Sequence, residues 1–143
     1  MGSASKDTIH LGPMRIDFIV DAEDSDGSVT VFECFVPTAS KAAVPHSNDA
    51  FEETIYGLEG TCTWTIDGHT REIGPGDSVC IRRGQVHGFE NRTNGDVKLL
   101  AISTPGVFGP AYFRELAALL AVPGPPDPVA VGQLMRRHGL SAA

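Results

Sequence analysis

The chain has 143 residues, 41% hydrophobic and 20% charged, with a formal net charge of −7. That is the profile of an ordinary globular protein long enough to bury a core without disulfide staples. The acidic balance and the lack of a basic stripe speak against a phosphate-backbone partner, so no nucleic acid is expected. No apolar run nears the roughly 20 residues of a membrane span, and the start, MGSASKDTIH, lacks an apolar leader core; no membrane partner and a cytoplasmic location are expected.

Residues 1–10 are polar and expected to fray. Met14 to Val20 alternates as a first strand, with Met14, Ile16, Phe18 and Val20 on one face. The acidic run Asp21 to Gly27 lacks the Gly and final Glu that a calcium loop needs and reads as a solvated turn region. Ser28 to Val36, rich in Val, Thr and Phe, reads as a second strand ended by Pro37. Thr38 to Val44 is a connection. Glu53 opens a strand that runs to Gly60, with Glu53, Ile55 and Gly57 on one face and Tyr56 and Leu58 on the other.

The alternation then sharpens. In Thr61 to Ile66, Cys62, Trp64 and Ile66 are expected inward and the threonines outward. Asp67-Gly68 signals a hairpin, with His69 to Ile73 returning and His69 exposed. Gly74 to Asp77 is a turn, and Ser78 to Ile81 a strand with Val79 and Ile81 inward. Asn94-Gly95 signals a second tight hairpin before a last strand from Val97 to Ser103. A helical tail follows. Pro110 suits a first turn, and Phe113, Leu116, Ala117 and Leu120 form one apolar face. After the break Pro123 to Pro126, Asp127 reads as an N-cap with Pro128 at the first helical position. That helix runs from Val129 to His138 and stops at Gly139, with Arg136, Arg137 and His138 near its C-terminus. Cys34, Cys62 and Cys80 are odd in number and widely spaced, and read as small strand residues without a disulfide.

Two clusters carry the chemistry, PHSNDAFEETIYGLEG from Pro45 to Gly60 and GDSVCIRRGQVHGFEN from Gly76 to Asn91. They hold His46, Glu53 and His87. Two imidazoles and a carboxylate suit a divalent first-row metal that keeps open positions for a substrate. His46 and Asn48 share a strand face, but Glu53 is an odd number of residues from His46. The chain must therefore bend at Ser47 to Ala50 for all three to meet. Polar side chains on otherwise apolar strand faces are costly to bury unless something satisfies them.

The clusters resemble the two motifs of the cupin family. The first motif, His-x-His, three or four residues, Glu, six residues, Gly, is matched by His46, Asn48, Glu53 and Gly60. The second, Gly, five residues, Pro-x-Gly, two residues, His, three residues, Asn, is matched by Gly76, Arg82, Gly84, His87 and Asn91. Asn48 and Arg82 depart from the pattern, replacing a histidine and a proline. The resemblance implies an all-β jelly-roll barrel, a double-stranded β-helix with a short C-terminal helical tail. It gives one domain over residues 1–143, with the barrel at about 14–104 and the tail at about 110–139. It also implies one divalent metal per chain on His46, Glu53 and His87, with Fe(II) favoured and Mn, Ni, Co or Zn acceptable. Asn48 is then a weak fourth ligand, a partner of bound water, or a spectator. The usual cupin assembly is a homodimer.

One barrel with a short helical tail resembles the small bacterial proteins grouped with quercetin-type dioxygenases. The first functional expectation is a metal-dependent dioxygenase acting on a small organic substrate, with Glu53 as a proton acceptor. A non-redox metal-dependent isomerase, decarboxylase or hydrolase uses the same ligands, and a non-catalytic small-molecule-binding cupin is a third reading. Arg82 is a candidate grip on a substrate carboxylate, against a solvated charge or an ion pair with Glu90. Trp64 and Phe89 are candidate pocket walls, against plain core.

Overall fold

The computed structural model describes residues 7–42 and 44–143. The elements in order are β1 (Asp7–Leu11), β2 (Met14–Val20), α1 (Ala22–Ser25), β3 (Thr30–Val36), β4 (His46–Asn48), β5 (Glu52–Glu59), β6 (Cys62–Ile66), β7 (His69–Ile73), β8 (Ser78–Ile81), β9 (His87–Glu90), β10 (Val97–Thr104), α2 (Pro110–Leu120), α3 (Pro128–Arg137) and β11 (Leu140–Ala142). A six-stranded sheet has the order β1-β2-β3-β10-β5-β8, and a five-stranded sheet the order β11-β4-β9-β6-β7. All pairings are antiparallel, and the two sheets form a jelly roll.

Alternation decides which side chains fill the interior. On β3, Thr30, Phe32, Cys34 and Val36 are buried, and on β10 Val97, Leu99, Ala101 and Ser103. Met14, Ile16 and Phe18 of β2 join them, while Val20 is only half-buried beyond a register shift between Phe18 and Val20. The β6–β7 hairpin turns through Asp67 and Gly68 at φ 49° and 80°. Both residues are left-handed, as a type I′ turn requires.

Several expectations are corrected. Residues 1–6 lie outside the described residues, as does Ala43 in the loop before β4. Residues 7–10 belong to β1, whose Ile9 and Leu11 are buried against β2 because their alternation matches its register. Asp21 to Gly27 contains the one-turn α1, which Asp21 and Asp24 close as a capping box. Thr63 alternates away from the interior as expected, yet is only 7% exposed, since it lies between Glu72 and Glu90 of the flanking strands on a covered part of the outer face. Asn94-Gly95 makes no hairpin: β9 pairs with β4 and β6, β10 with β3 and β5, so this turn carries the chain between sheets. The final strand β11 carries no sequence signal, because LSA is too short to show a period.

Helix α2 lays Tyr112, Phe113 and Leu116 against the barrel, and Ala117 and Leu120 are half-buried. Phe113 packs on Phe18, Phe32 and Phe108, with centroids 5.8, 5.2 and 4.9 Å away. Asp127 caps α3 by accepting from the Val129 N–H. Arg137 and His138 reach Glu115 of α2 at 2.8 and 2.7 Å and bind the two helices together. The chain then returns as β11 along β4, pairing Leu140 with Asn48 and Ala142 with His46.

Two motif residues serve this framework. Gly60 has φ 68°, and a Cβ there would stand 2.4 Å from the Asp96 carbonyl oxygen. Asn91 is 1% exposed; its amide donates to the Val36 and Gly95 carbonyls at 2.8 Å each, and its oxygen accepts from the Thr93 N–H and hydroxyl. It pins the turn after β9 to the end of β3. Asn91→Ala should cost about 3 kcal/mol through the buried groups it orphans. Gly60→Ala should cost at least about 2 kcal/mol through backbone strain. Urea unfolding midpoints check both, and midpoints unmoved from the parent would refute these roles.

Candidate functional site

The bend expected between His46 and Glu53 is a change of sheet. β4 lies in the five-stranded sheet and β5 in the six-stranded one, so Asp49 to Phe51 cross from one to the other. His46 pairs directly with His87 of β9. Their rings meet edge to face at 4.5 Å. His87 Nε2 lies 3.8 Å from Glu53 Oε1, and both side chains are buried. The Asn48 amide donates to the same Glu53 oxygen at 3.2 Å. These four side chains therefore share one neighbourhood.

Backbone carbonyls set the histidine tautomers. His46 Nδ1 is 3.2 Å from the Val44 oxygen, and His87 Nδ1 is 2.9 Å from the Gln85 oxygen. A carbonyl only accepts, so each Nδ1 carries the proton and each Nε2 keeps its lone pair. His87 Nε2 and Asn48 Oδ1 are buried without a partner. At 3.8 Å, His87 and Glu53 are too far apart for a hydrogen bond. They are close enough to share one ion, since two ligands at about 2.1 Å from it span up to about 4 Å. Among the described residues, no three His, Cys, Asp or Glu side chains stand close enough as placed to hold a metal ion. The donor types suit a divalent metal: two imidazoles with Nε2 free of a proton, one carboxyl, and the buried, unpartnered Asn48 Oδ1.

Burial governs the protonation states. It pushes Glu53 up to about 7, with the Asn48 hydrogen bond pulling the other way. It lowers His46 to about 4, helped by neighbouring His87, and it lowers His87 as well. Near neutrality the imidazoles are uncharged, as metal ligands must be, and Glu53 can hold or release a proton.

The site opens on a cavity of about 330 Å³. Trp64 and Phe89 line it; their rings are 4.9 Å apart, and Trp64 lies nearly parallel to His87 at 6.3 Å. Trp64 Nε1 is buried and unpartnered. Arg82 is exposed and is not among the lining residues, and the partner of Glu90 is Arg92 at 3.0 Å, so the ion pair considered for Arg82 is not formed. Cys34 and Cys62 are buried free thiols and Cys80 is exposed; Cys34 lines the cavity, where burial keeps it protonated. Much of the wall escaped sequence reading. Phe108, Tyr112, Phe113, Leu116 and Leu120 come from α2 and its approach, and Met135 from α3. The apolar helix face was a visible signal, but its partner was not.

In protein stripped of metal, the raised Glu53 sets a sign. The folded chain holds a proton that the unfolded chain releases, so this contribution to stability falls as pH rises from 4.5 to about 7. The lowered His46 acts oppositely, costing stability as pH falls from 6.5 to about 4. Glu53→Gln removes the first arm only. In chelator it should match the parent near pH 4.5 and exceed it by roughly 3 kcal/mol above pH 7. Thermal unfolding across pH checks this, and parallel curves would show that the carboxyl is not desolvated.

Comparison with known proteins agrees with this architecture. Residues 31–103, about half the chain, match the cupin domain family. An uncharacterized protein of Methanocaldococcus jannaschii is 36% identical over 73 residues, covering 51% of this chain and 58% of that relative, so the chain spans less than two thirds of its length. KdgF from Halomonas sp. superposes with a TM-score of 0.63 at 15% identity, covering 73% of this chain and 94% of its own. A predicted oxalate decarboxylase from Thermotoga maritima gives 0.62 at 22% identity, with 66% and 82% covered. The polyketide cyclase RemF from Streptomyces resistomycificus gives 0.58 at 27% identity, with 64% of each chain covered. With both motifs in place on a jelly roll and the family match spanning half its length, the chain belongs to the cupin family.

Proposed function

We propose that the chain is a metal-dependent cupin enzyme of the dioxygenase type acting on a small organic substrate. The observation that carries this is the buried, unpartnered Nε2 of His87 facing the Glu53 carboxyl at 3.8 Å. His46, Glu53 and His87 would hold the ion. It would supply Lewis acidity, open coordination positions and, for Fe(II), a redox couple; Mn, Ni, Co and Zn suit the same donors.

The chain's own groups do the rest. The Val44 and Gln85 carbonyls hold both imidazoles with Nε2 inward. Asn48 holds one oxygen of Glu53 and leaves the other to accept a proton from a substrate hydroxyl. The aromatic wall keeps water from the reacting atoms. A second reading, non-redox isomerisation, decarboxylation, cyclisation or hydrolysis, rests on the same donors, which would serve as a Lewis-acid site without oxygen. The likeness to a polyketide cyclase supports it too. A homodimer belongs to the proposal, since β1 and β7 end their sheets as edges.

The test is elemental analysis of protein purified without a nickel column or chelator. About one metal per chain is expected, lost in both His46→Ala and His87→Ala, with substrate-dependent oxygen uptake for an iron-loaded sample. Stoichiometric metal with turnover but no oxygen uptake would select the non-redox reading. A chain that takes up none of Fe(II), Mn, Ni, Co or Zn would refute the enzyme proposal and leave a small-molecule-binding cupin.

A further inference from the structure

We infer that the cavity takes a planar, largely aromatic molecule of two or three rings bearing one hydroxyl or keto oxygen, and that segments on both sides of residues 31–103 share with that span in selecting it. The orientation of that oxygen toward His46, Glu53 and His87 rests on the proposed function; the class of the molecule's body does not.

Size and lining make the case. The cavity volume of about 330 Å³ is near the lower end of small-molecule sites. It is about twice the roughly 150 Å³ of an apolar cavity that holds one benzene ring. Aromatic side chains line it from several elements: Phe32 from β3, Trp64 from β6, Phe89 from β9, and Phe108, Tyr112 and Phe113 at the helical tail. Ring faces and edges in that number favour a flat π-system over an aliphatic chain. The unpartnered Trp64 Nε1, buried beside His87, offers one further donor to an oxygen near the site.

Charge excludes the alternatives. No arginine lines the cavity, and its one lysine, Lys41, is exposed at the loop before β4. A sugar acid or sugar phosphate would bring several hydroxyls and a charge that these apolar walls leave unpaired.

The origin of the walls makes the second point. Residues 31–103 match the family. Leu11, Pro13 and Met14 precede that span, and the tail that bears Phe113, Leu120 and Met135 follows it. The shared segment supplies His46, Glu53 and His87 and part of the apolar wall, Phe32, Trp64 and Phe89 among it, and the flanking segments supply the rest of that wall.

The test is a fluorescence titration of the protein as purified with N-phenyl-1-naphthylamine, an uncharged aromatic probe that brightens in apolar surroundings. Saturable binding of one probe per chain is expected, with displacement by 2-naphthol and none by galacturonate at a large excess. Leu120→Trp on α2 and Ala42→Trp on the loop before β4 each fill the cavity from a half-buried position. Each should weaken the probe on the order of tenfold or more, while Arg82→Ala should leave it unchanged. Absence of binding, equal binding in both filled variants, or displacement by galacturonate would overturn the inference. Metal content measured on the same samples separates the two proposals. Metal without probe binding leaves the proposed function and sinks this inference; probe binding in a chain that takes up no metal does the reverse.

Discussion

A carboxyl and an imidazole buried side by side without a hydrogen bond between them are the constraint on which the rest of this molecule turns. Glu53 and His87 sit in a largely apolar interior, and taking them out of water is unfavourable. The structure offsets part of that cost locally. Each histidine gives its Nδ1 proton to a carbonyl two residues earlier, and Asn48 supports one oxygen of Glu53. Among the described residues, the buried polar side-chain atoms left without a partner are His87 Nε2, Asn48 Oδ1, Trp64 Nε1 and Ser103 Oγ, and the first two, beside the Glu53 carboxyl, point to chemistry and not to packing.

The jelly roll makes this arrangement possible. Residues close in sequence are sent to different sheets, so β4 and β5 place His46 and Glu53 on facing surfaces of one interior. His87 then arrives on β9 beside β4. Asn91, directly after that strand, spends its amide on three backbone connections that fix where β9 ends. The second motif thus joins a site residue to a framework residue, and each depends on the other being in register.

The C-terminal segment is part of the same device. Helix α2 contributes rings to the cavity wall, α3 packs against it through Glu115, Arg137 and His138, and β11 pairs with the strand that carries His46 and Asn48. Gly139 brings that strand in at φ 82°, with its carbonyl accepting from the N–H groups of Asp49 and Ala50 at the change of sheet. The crossing that brings Glu53 toward the histidines is therefore held from outside by the end of the chain.

Local sequence sets the elements with a clear period and the positions of the two motifs. Cys62, Trp64 and Ile66 alternate cleanly, Asp67-Gly68 allows one tight turn, Asp127-Pro128 opens a helix, and two gapped motifs name His46, Glu53 and His87. These are local properties, set by sterics within a few residues. What tertiary structure decided was partnership. Asn94-Gly95 carries a hairpin signal, yet the strands on either side belong to different sheets, because pairing depends on which faces must be buried together. Arg82 stands near a site residue in sequence but outside the cavity in space, while Tyr112 and Met135, distant in sequence, line it. Ser103 is directly opposite Glu53 in the ladder, a neighbour that no spacing rule could find. Long-range contacts are chosen by the summed burial of whole faces, and no short window of residues holds that sum.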